Sequence, residues 1–258
     1  MAVRRGRHAG LESIDLLENL KRKYGESLEE VIAYGAQARE RWEKIDQREE
    51  EMVRLEAAVG AARETVDSAG AALTARRQEV APALAKEIAG HLEDLGFRQS
   101  HFEVPLTETD GPHSRGFESV DFTFAPNPGE PPRPLRSVAS SGEMSRVMLA
   151  VKSALADQDQ IPLMVFDEID ANVGGEIAHA VGRKMAALGD RHQVVAITHM
   201  PQVAALAHHH YVVSKEFEND STQSHLRPVE GEERVGELAR MLGGVGEEAL
   251  ALAESLLA

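Results

Sequence analysis

The sequence predicts an α/β fold in which a parallel sheet is flanked by helices, with a helical coiled-coil arm before it. From residue 142 onward, helical and strand-like segments alternate along the chain, a pattern typical of a parallel sheet covered by helices. Before residue 92 the chain is almost entirely helical, and its apolar residues recur at heptad spacing. We therefore predict two domains, an arm base at 1–92 and an α/β domain at 93–258.

Composition limits the function classes that the chain can belong to. Its 258 residues include 43 acidic and 28 basic side chains, a formal net charge of −15. Such a surface repels nucleic acid on average, so contact with DNA would need a local basic patch or a partner subunit. The basic clusters at 4–8 and 21–23 are candidates, and solvated surface charge is the alternative.

The absence of cysteine excludes disulfides and cysteine-ligated zinc, and it fits a reducing cytoplasm. No apolar run approaches the roughly 20 residues that span a bilayer. The basic start at 1–10 lacks the apolar stretch of a secretory signal. We therefore expect a cytoplasmic protein without membrane contact.

The arm is predicted from residues 11–90, which read as helix with breaks near Gly25 and Gly35. Alanines in the apolar stripe, together with Gly60 and Gly70, weaken it, so the stripe needs a partner helix. Residues 11–25 could be that partner or a separate stub, and a plain helical bundle is the alternative to a projecting arm. The heptad positions are Met52, Leu55, Val59, Ala62, Val66, Ala69, Leu73, Arg76 and Val80.

The second domain is predicted to begin with two antiparallel strands at 101–106 and 119–124, which a Gly/Pro/His-rich loop separates. A proline-rich loop at 127–135 follows. The remaining predicted elements are a helix at 143–156, a strand at 162–167, a helix at 175–188, a strand at 193–198, a helix at 201–207, a strand at 210–215 and a helical tail at 232–258 broken at Gly243-Gly244.

The first candidate site is the segment LMVFDEIDANVGG at 163–175. Asp167 and Glu168 follow a buried strand directly, and the C-terminal ends of parallel strands are where open α/β sheets bind ligands. Asp167 could hold Mg²⁺ through water, and Glu168 could orient or deprotonate a water that attacks a γ-phosphate. Alone the pattern is weak, since solvated acids often end strands.

Two further segments can act on the same ligand. ASSGEMSR at 139–146 opens a helix, whose free amides can face an anion, although plain capping by Ser140 or Ser141 is the simpler reading. His199 ends the strand in VVAITHMPQ and could donate a hydrogen bond to a phosphate oxygen. A structural histidine is the alternative.

The order of the three segments is similar to that of the ATP-binding-cassette head, with its signature motif, Walker B strand and switch histidine. The segment after Asp170 takes the place of the D-loop in that fold. No GxxxxGK[ST] phosphate loop occurs in the sequence, so the chain looks like the C-terminal lobe of a head whose N-terminal lobe carries that loop. Heads split by a long antiparallel coiled-coil arm are typical of SMC and Rad50-like ATPases. We expect the chain alone to be inactive.

The resemblance can be narrowed with three segments, NPGEPPRPLRSVASSGEMSRVMLAVKSAL, VFDEIDANVGGEIAHAVG and ITHMPQVAALAHHHYVVSK. They resemble the RecN family of bacterial DNA-repair proteins, which are SMC-like ATPases. The match is close over 120–245 and looser over the arm. It implies a cytoplasmic, nucleoid-associated ATPase that acts at double-strand breaks, whose heads dimerise around ATP and bind or tether DNA ends.

Carried over to this sequence, the resemblance implies a role for each motif residue. Asp167 would coordinate Mg²⁺ through water, Glu168 would be the catalytic base, and His199 would sense the γ-phosphate. The trans contacts to ATP held by the opposite head, and the D-loop contact, would come from Ser140, Ser141, Gly142, Glu143 and Asp170.

The chain departs from the family pattern at two places. Ser141 stands where the family has glycine, and Ala171-Asn172 replaces an expected Val-Gly pair. The implied partners are the N-terminal lobe, a second head, an arm helix and DNA. An ABC transporter ATPase subunit is disfavoured by the heptad arm, and a non-catalytic coiled-coil scaffold is the other alternative.

Overall fold

The computed structural model describes residues 2–171, 173–218, 221–244 and 246–258. The chain divides into two compact units, residues 1–69 and 70–258. No helix in the described part of the chain combines the length and the apolar character needed to cross a membrane.

Two helices make up the arm region, α1 (Ala2–Tyr24) and α2 (Leu28–Asp94). The predicted break at Gly25 is confirmed. The predicted break near Gly35 is wrong, because α2 is continuous through it and one glycine costs a helix only about 1 kcal/mol. The domain boundary predicted at 92/93 lies two residues before the end of α2, and it stays a prediction.

The heptad stripe of α2 is exposed to solvent. The exposed fractions of its larger apolar side chains run from 39% at Leu73 to 63% at Val59. The apolar side chains Ile14, Leu16 and Leu17 of α1 are exposed as well. In the described residues, therefore, no helix covers the stripe, and a coiled coil requires a helix from elsewhere.

The antiparallel part follows α2. Strands β1 (His101–Glu103) and β4 (Thr123–Ala125) pair with Phe102 opposite Phe124. The antiparallel pairing predicted for 101–106 and 119–124 is confirmed. The loop predicted between them is wrong, because β2 (Leu106–His113) and β3 (Gly116–Val120) form a hairpin there.

The proline-rich segment is a loop with one short strand. Strand β5 (Arg133–Pro134) pairs with β4, and a single 3₁₀ turn at 135–137 follows. Proline is tolerated in β5 because it lies at the edge of the sheet, where its missing N–H leaves no partner unpaired.

The β2–β3 hairpin packs on the C-terminal part of α2. The Phe117 ring occupies the space beside Gly70, where an added Cβ would lie 2.2 Å from a ring carbon. The buried Glu118 carboxylate accepts a hydrogen bond from Thr74 and pairs with Arg77 at 3.1 Å. Within the second unit, the hairpin therefore holds residues 70–77 of α2 through both apolar and charged contacts.

The parallel part contains α3 (Ser141–Ala154), β6 (Leu163–Phe166), α4 (Gly175–Gly189), β7 (Gln193–Ala196) and α5 (Pro201–Ala204). Each element was predicted within a few residues. Strands β6 and β7 pair in parallel, with Phe166 beside Ala196. The core of this unit joins the end of α2 to α3 and α4 through Ile88, Leu92, Val147, Leu149, Val181 and Leu188.

The last predicted parallel strand is wrong in its pairing. Strand β8 (His210–Glu218) forms an antiparallel hairpin with β9 (Ser221–Val229), a strand that the prediction missed. Two helices, α6 (Gly231–Met241) and α7 (Glu247–Leu257), then confirm the helical tail and its break. Their core contains Leu238 and Ala253.

The β6–β7 pair is covered on one face only. Met164 and Phe166 point into the core and are 7% exposed, whereas the alternate residues of the pair are bare aliphatic side chains, 43–60% exposed. A parallel pair is normally buried on both faces. We call this surface the open face; it consists of Leu163, Val165, Val195 and Ile197.

We predict opposite effects for two glycine substitutions in α2. Gly70→Ala should destabilise the protein by about 1–2 kcal/mol, because the new methyl displaces the Phe117 ring. Gly90→Ala, which meets no atom within 4 Å, should stabilise it by about 0.5–1 kcal/mol through helix propensity. Urea unfolding followed by circular dichroism measures both, and equal stabilisation would contradict the hairpin packing.

Candidate functional site

The predicted motifs meet where β6 and β7 end. The two strands run in the same direction, so their C-terminal ends lie side by side, and the Ile197 N–H donates to the Phe166 carbonyl at 2.9 Å. Asp167 and Glu168 continue from β6, while Thr198 and His199 continue from β7. We call this region the motif edge, defined by residues 167–171 and 198–200.

Two exposed carboxylates follow β6 directly. The Glu168 N–H donates to Asp167 Oδ1 at 2.9 Å, which fixes one oxygen of Asp167. Glu168 itself has φ of +54°, a left-handed backbone conformation that costs a non-glycine residue roughly 1–2 kcal/mol. With this backbone conformation, the Glu168 side chain leaves the chain in a different direction from that of a residue in an extended strand.

The start of α3 lies against these carboxylates. Ser140 is the N-cap residue and accepts the Glu143 N–H at 3.3 Å. The Ser141 hydroxyl donates to Glu168 Oε2, and the Ser145 hydroxyl, one turn later, donates to the Asp167 carbonyl at 3.0 Å. One face of α3 therefore holds the segment that follows β6.

Gly142 permits this close approach. An added Cβ there would lie 3.0 Å from Ala171 Cβ and 3.1 Å from the Glu168 carbonyl oxygen. At these distances Ala171 and the Glu168 backbone would have to shift by about a few tenths of an ångström to admit a side chain at 142, so glycine gives α3 its closest approach to the 168–171 turn.

Asp170 is the buried member of the motif edge, with 2% of its surface exposed. Its Oδ2 accepts hydrogen bonds from the Thr198 hydroxyl, from the His199 N–H at 3.0 Å and from the Met200 N–H at 3.3 Å. The His199 ring is 74% exposed, with Nδ1 3.4 Å from the same oxygen. The carboxylate thus ties the two strand ends together and leaves the imidazole facing solvent.

Arg146 secures the same turn from the side of α3. Its guanidinium donates to the carbonyls of Ile169 at 3.4 Å and Ala171 at 3.1 Å, and it lies 5.3 Å from the centre of the Phe97 ring. Burial lowers the pKa of Arg146 from its usual value, and the Glu143 carboxylate partly offsets this. Charge on Arg146 is retained because a guanidinium remains protonated at any ordinary pH.

The structure brings the three predicted segments together at the motif edge. Asp167, Glu168 and His199 are exposed there, Ser140 and Ser141 begin the adjacent helix, and Asp170 lies beneath them. Ala171-Asn172 is the pair that differs from the family pattern, and Asn172 lies outside the described residues. The nucleotide roles assigned to these residues, and to Gly142 and Glu143, remain predictions.

Sequence reasoning missed Thr198, Ser145 and Arg146. The spacing of Ser141 and Ser145, four residues apart, places both hydroxyls on one face of α3 and could have indicated Ser145. Nothing in the local sequence indicates that Thr198 or Arg146 reaches the turn after β6.

The donor set suits a magnesium ion held by one carboxylate rather than by a protein cage. Within the described residues, no three His, Cys, Asp or Glu side chains cluster as metal ligands. Mg²⁺ keeps much of its water shell and is commonly held by one or two carboxylates together with substrate phosphates. Asp167, exposed at the end of β6, fits that mode of binding.

Comparison with known proteins places the chain in a family. No family model matches it. It is 42% identical to the DNA repair protein RecN of Deinococcus radiodurans over 246 residues, which covers 95% of this chain and 43% of the relative. It is 39% identical to the RecN of Treponema pallidum over 252 residues, covering 95% and 44%.

A solved structure supports the fold. The Smc head domain with a coiled coil and joint from Pyrococcus yayanosii matches with a TM-score of 0.56 and 17% identity, over 89% of this chain and 39% of that one. The chain spans less than half the length of the curated relatives that it matches. From the extent and identity of these matches, the chain belongs to the RecN family of DNA repair proteins, with the fold of an SMC-type head and its coiled coil.

Proposed function

We propose that the chain is the C-terminal lobe of a RecN-type ATPase head, which forms an ATP site together with an N-terminal lobe that carries a phosphate-binding loop. The observation that carries this proposal is the meeting of three motif segments at one edge of a parallel strand pair. Two exposed acids, an exposed imidazole and a helix N-terminus lie there on the described residues.

The open face supports the need for a second lobe. Leu163, Val165, Val195 and Ile197 present bare aliphatic surface directly before the motif edge. Fully burying an exposed aliphatic side chain is worth about 1.5–3 kcal/mol, and because these four are already about half-buried, each would contribute about half of that. A lobe that covers this face would therefore bind strongly and would bring its phosphate loop beside Asp167 and Glu168.

Each exposed residue of the motif edge would then have its own role in ATP hydrolysis. Asp167 would hold Mg²⁺ through water, and the ion would neutralise charge on the transferred phosphoryl group. Glu168 would orient the attacking water and accept its proton. His199, kept in place through Asp170, would donate a hydrogen bond to a γ-phosphate oxygen.

The start of α3 would serve a second head. Ser140, Ser141, Gly142 and Glu143 would contact ATP held by the opposite protomer, with the free amides of the helix facing its phosphates. ATP-dependent dimerisation would then close both sites, while the exposed stripe of α2 pairs with an outgoing arm helix. The relatives are named as DNA repair proteins, and we propose action on DNA ends at double-strand breaks, in the cytoplasm at the nucleoid.

We expect a charge on the open face to prevent lobe assembly. Val165→Lys should weaken binding of the separately produced N-terminal lobe at least tenfold, because docking would bury an unpaired ammonium. Val120→Lys alters an exposed valine away from the open face and should leave the affinity unchanged. Isothermal titration calorimetry measures both, and equal affinities would contradict the docking surface.

Glu168→Gln in the complete protein should lower kcat for ATP hydrolysis by about 10²-fold or more, since general bases contribute 10²–10⁴-fold. ATP-dependent dimers should persist, because the amide keeps the shape of the side chain. Turnover assays and light scattering measure the two effects. Glu176→Gln, at an exposed acid on α4, is the control, and loss of dimers together with turnover would reject Glu168 as the base.

Asp170→Ala should release the His199 loop, because the Thr198 hydroxyl and the His199 N–H lose their acceptor, and the Met200 N–H keeps only Thr198 Oγ1 at 3.0 Å. We expect destabilisation by at least about 2 kcal/mol and a shifted, broadened ring signal for His199 in histidine carbon–proton NMR spectra. Asp170→Asn retains one acceptor oxygen and should largely restore the signal. An unchanged His199 signal in Asp170→Ala would show that the carboxylate stabilises the fold without positioning the ring.

A further inference from the structure

The carboxylate proposed as the base is already engaged within its own chain. Ser141 Oγ donates to Glu168 Oε2, across 27 residues of sequence. Both residues are exposed, so the contact is not imposed by burial. It joins the first residue of α3 to the residue that follows Asp167.

The backbone around Glu168 is fixed independently of this contact. Its N–H donates to Asp167 Oδ1 at 2.9 Å and its carbonyl accepts the Ala171 N–H at 3.0 Å. Its left-handed φ is the only positive value at a non-glycine residue among those that the structure describes. With the backbone held, the remaining freedom lies in the side chain, and the Ser141 hydroxyl is its hydrogen-bond partner.

We infer that Ser141 is a positioning residue that holds the Glu168 carboxylate in reserve until α3 meets the phosphates of ATP on the opposite head. This inference rests on the proposed function. A serine hydroxyl has one proton and donates it to one acceptor at a time. A carboxylate and a phosphate oxygen therefore compete for that proton.

The competition couples two ATP sites. In the single head, the Ser141 hydroxyl donates its hydrogen bond to Glu168 of the same chain. In the dimer, the same hydroxyl would turn to the ATP of the partner and free Glu168 for water at its own site. ATP bound by one head thus releases the base of the other, and hydrolysis by unpaired heads is suppressed.

The contact can be tested on this chain without ATP. Carbodiimide coupling of glycine ethyl ester modifies accessible carboxylates, and mass spectrometry gives the rate at each site. Ser141→Ala should raise the modification rate of Glu168 several-fold relative to Glu176 in the same protein, and Ser141→Thr, which keeps a hydroxyl, should restore the slow rate. Ser153→Ala on the same helix, whose hydroxyl bonds the Leu149 carbonyl, should change nothing.

The consequence is tested in the complete protein over a dilution series. Below the concentration at which heads dimerise, Ser141→Ala should raise ATP turnover per head about tenfold, the lower end expected for an exposed hydrogen bond to a charged group. Above that concentration its turnover should equal or fall below that of the wild type. Ser141→Thr should behave as the wild type at both concentrations.

The outcomes separate the two proposals. If Glu168→Gln abolishes turnover while Ser141→Ala changes neither modification nor basal turnover, the positioning role is overturned and the ATPase stands. If the complete wild-type protein shows no magnesium-dependent turnover, the proposed function fails. Faster modification of Glu168 in Ser141→Ala without higher basal turnover would also overturn the inference. The hydrogen bond between Ser141 and Glu168 would then have no effect on the rate of hydrolysis.

Discussion

The architecture of the candidate site depends on one buried carboxylate. Removing Asp170 from water is costly unless its oxygens are hydrogen-bonded, and Thr198, His199 and Met200 supply three donors to a single oxygen. From the other side, Arg146 donates to the carbonyls on both sides of Asp170. The turn after β6, the loop after β7 and helix α3 are therefore held as one assembly, and the motif segments share an edge for that reason.

Much of the fold was predictable because its signals are local. The helical periodicity of α2, α3 and α4, and the apolar runs of β6 and β7, can be read within each segment. The β2–β3 hairpin was missed because β2, with Thr107, Glu108 and Asp110, lacks the apolar alternation of a half-buried strand; it forms by pairing with β3 and packing on α2. Strand β8 reads equally well as parallel or antiparallel, and only β9 decides between them.

The candidate site likewise has features that local sequence predicts and features that depend on packing. Short motifs and the family resemblance were enough to name Asp167, Glu168, His199 and the serines at the start of α3 as candidates, and their roles stay predictions. The burial of Asp170 and the contact between Ser141 and Glu168 depend on how α3 packs on the turn after β6. Packing between segments that are far apart in sequence leaves no signal in either one.

Under the proposed function, the open face and the motif edge would link docking of the second lobe to the activity of the site. The aliphatic side chains of β6 and β7 lie on one surface and lead directly to Asp167 and Glu168. A lobe that covers the open face would also exclude water from that edge. Charge interactions strengthen as the local dielectric falls. The attraction of these carboxylates for a bound cation would therefore be strongest after the lobe has docked. A head built from two such parts would thus remain inert until its second lobe and its partner head are both in place.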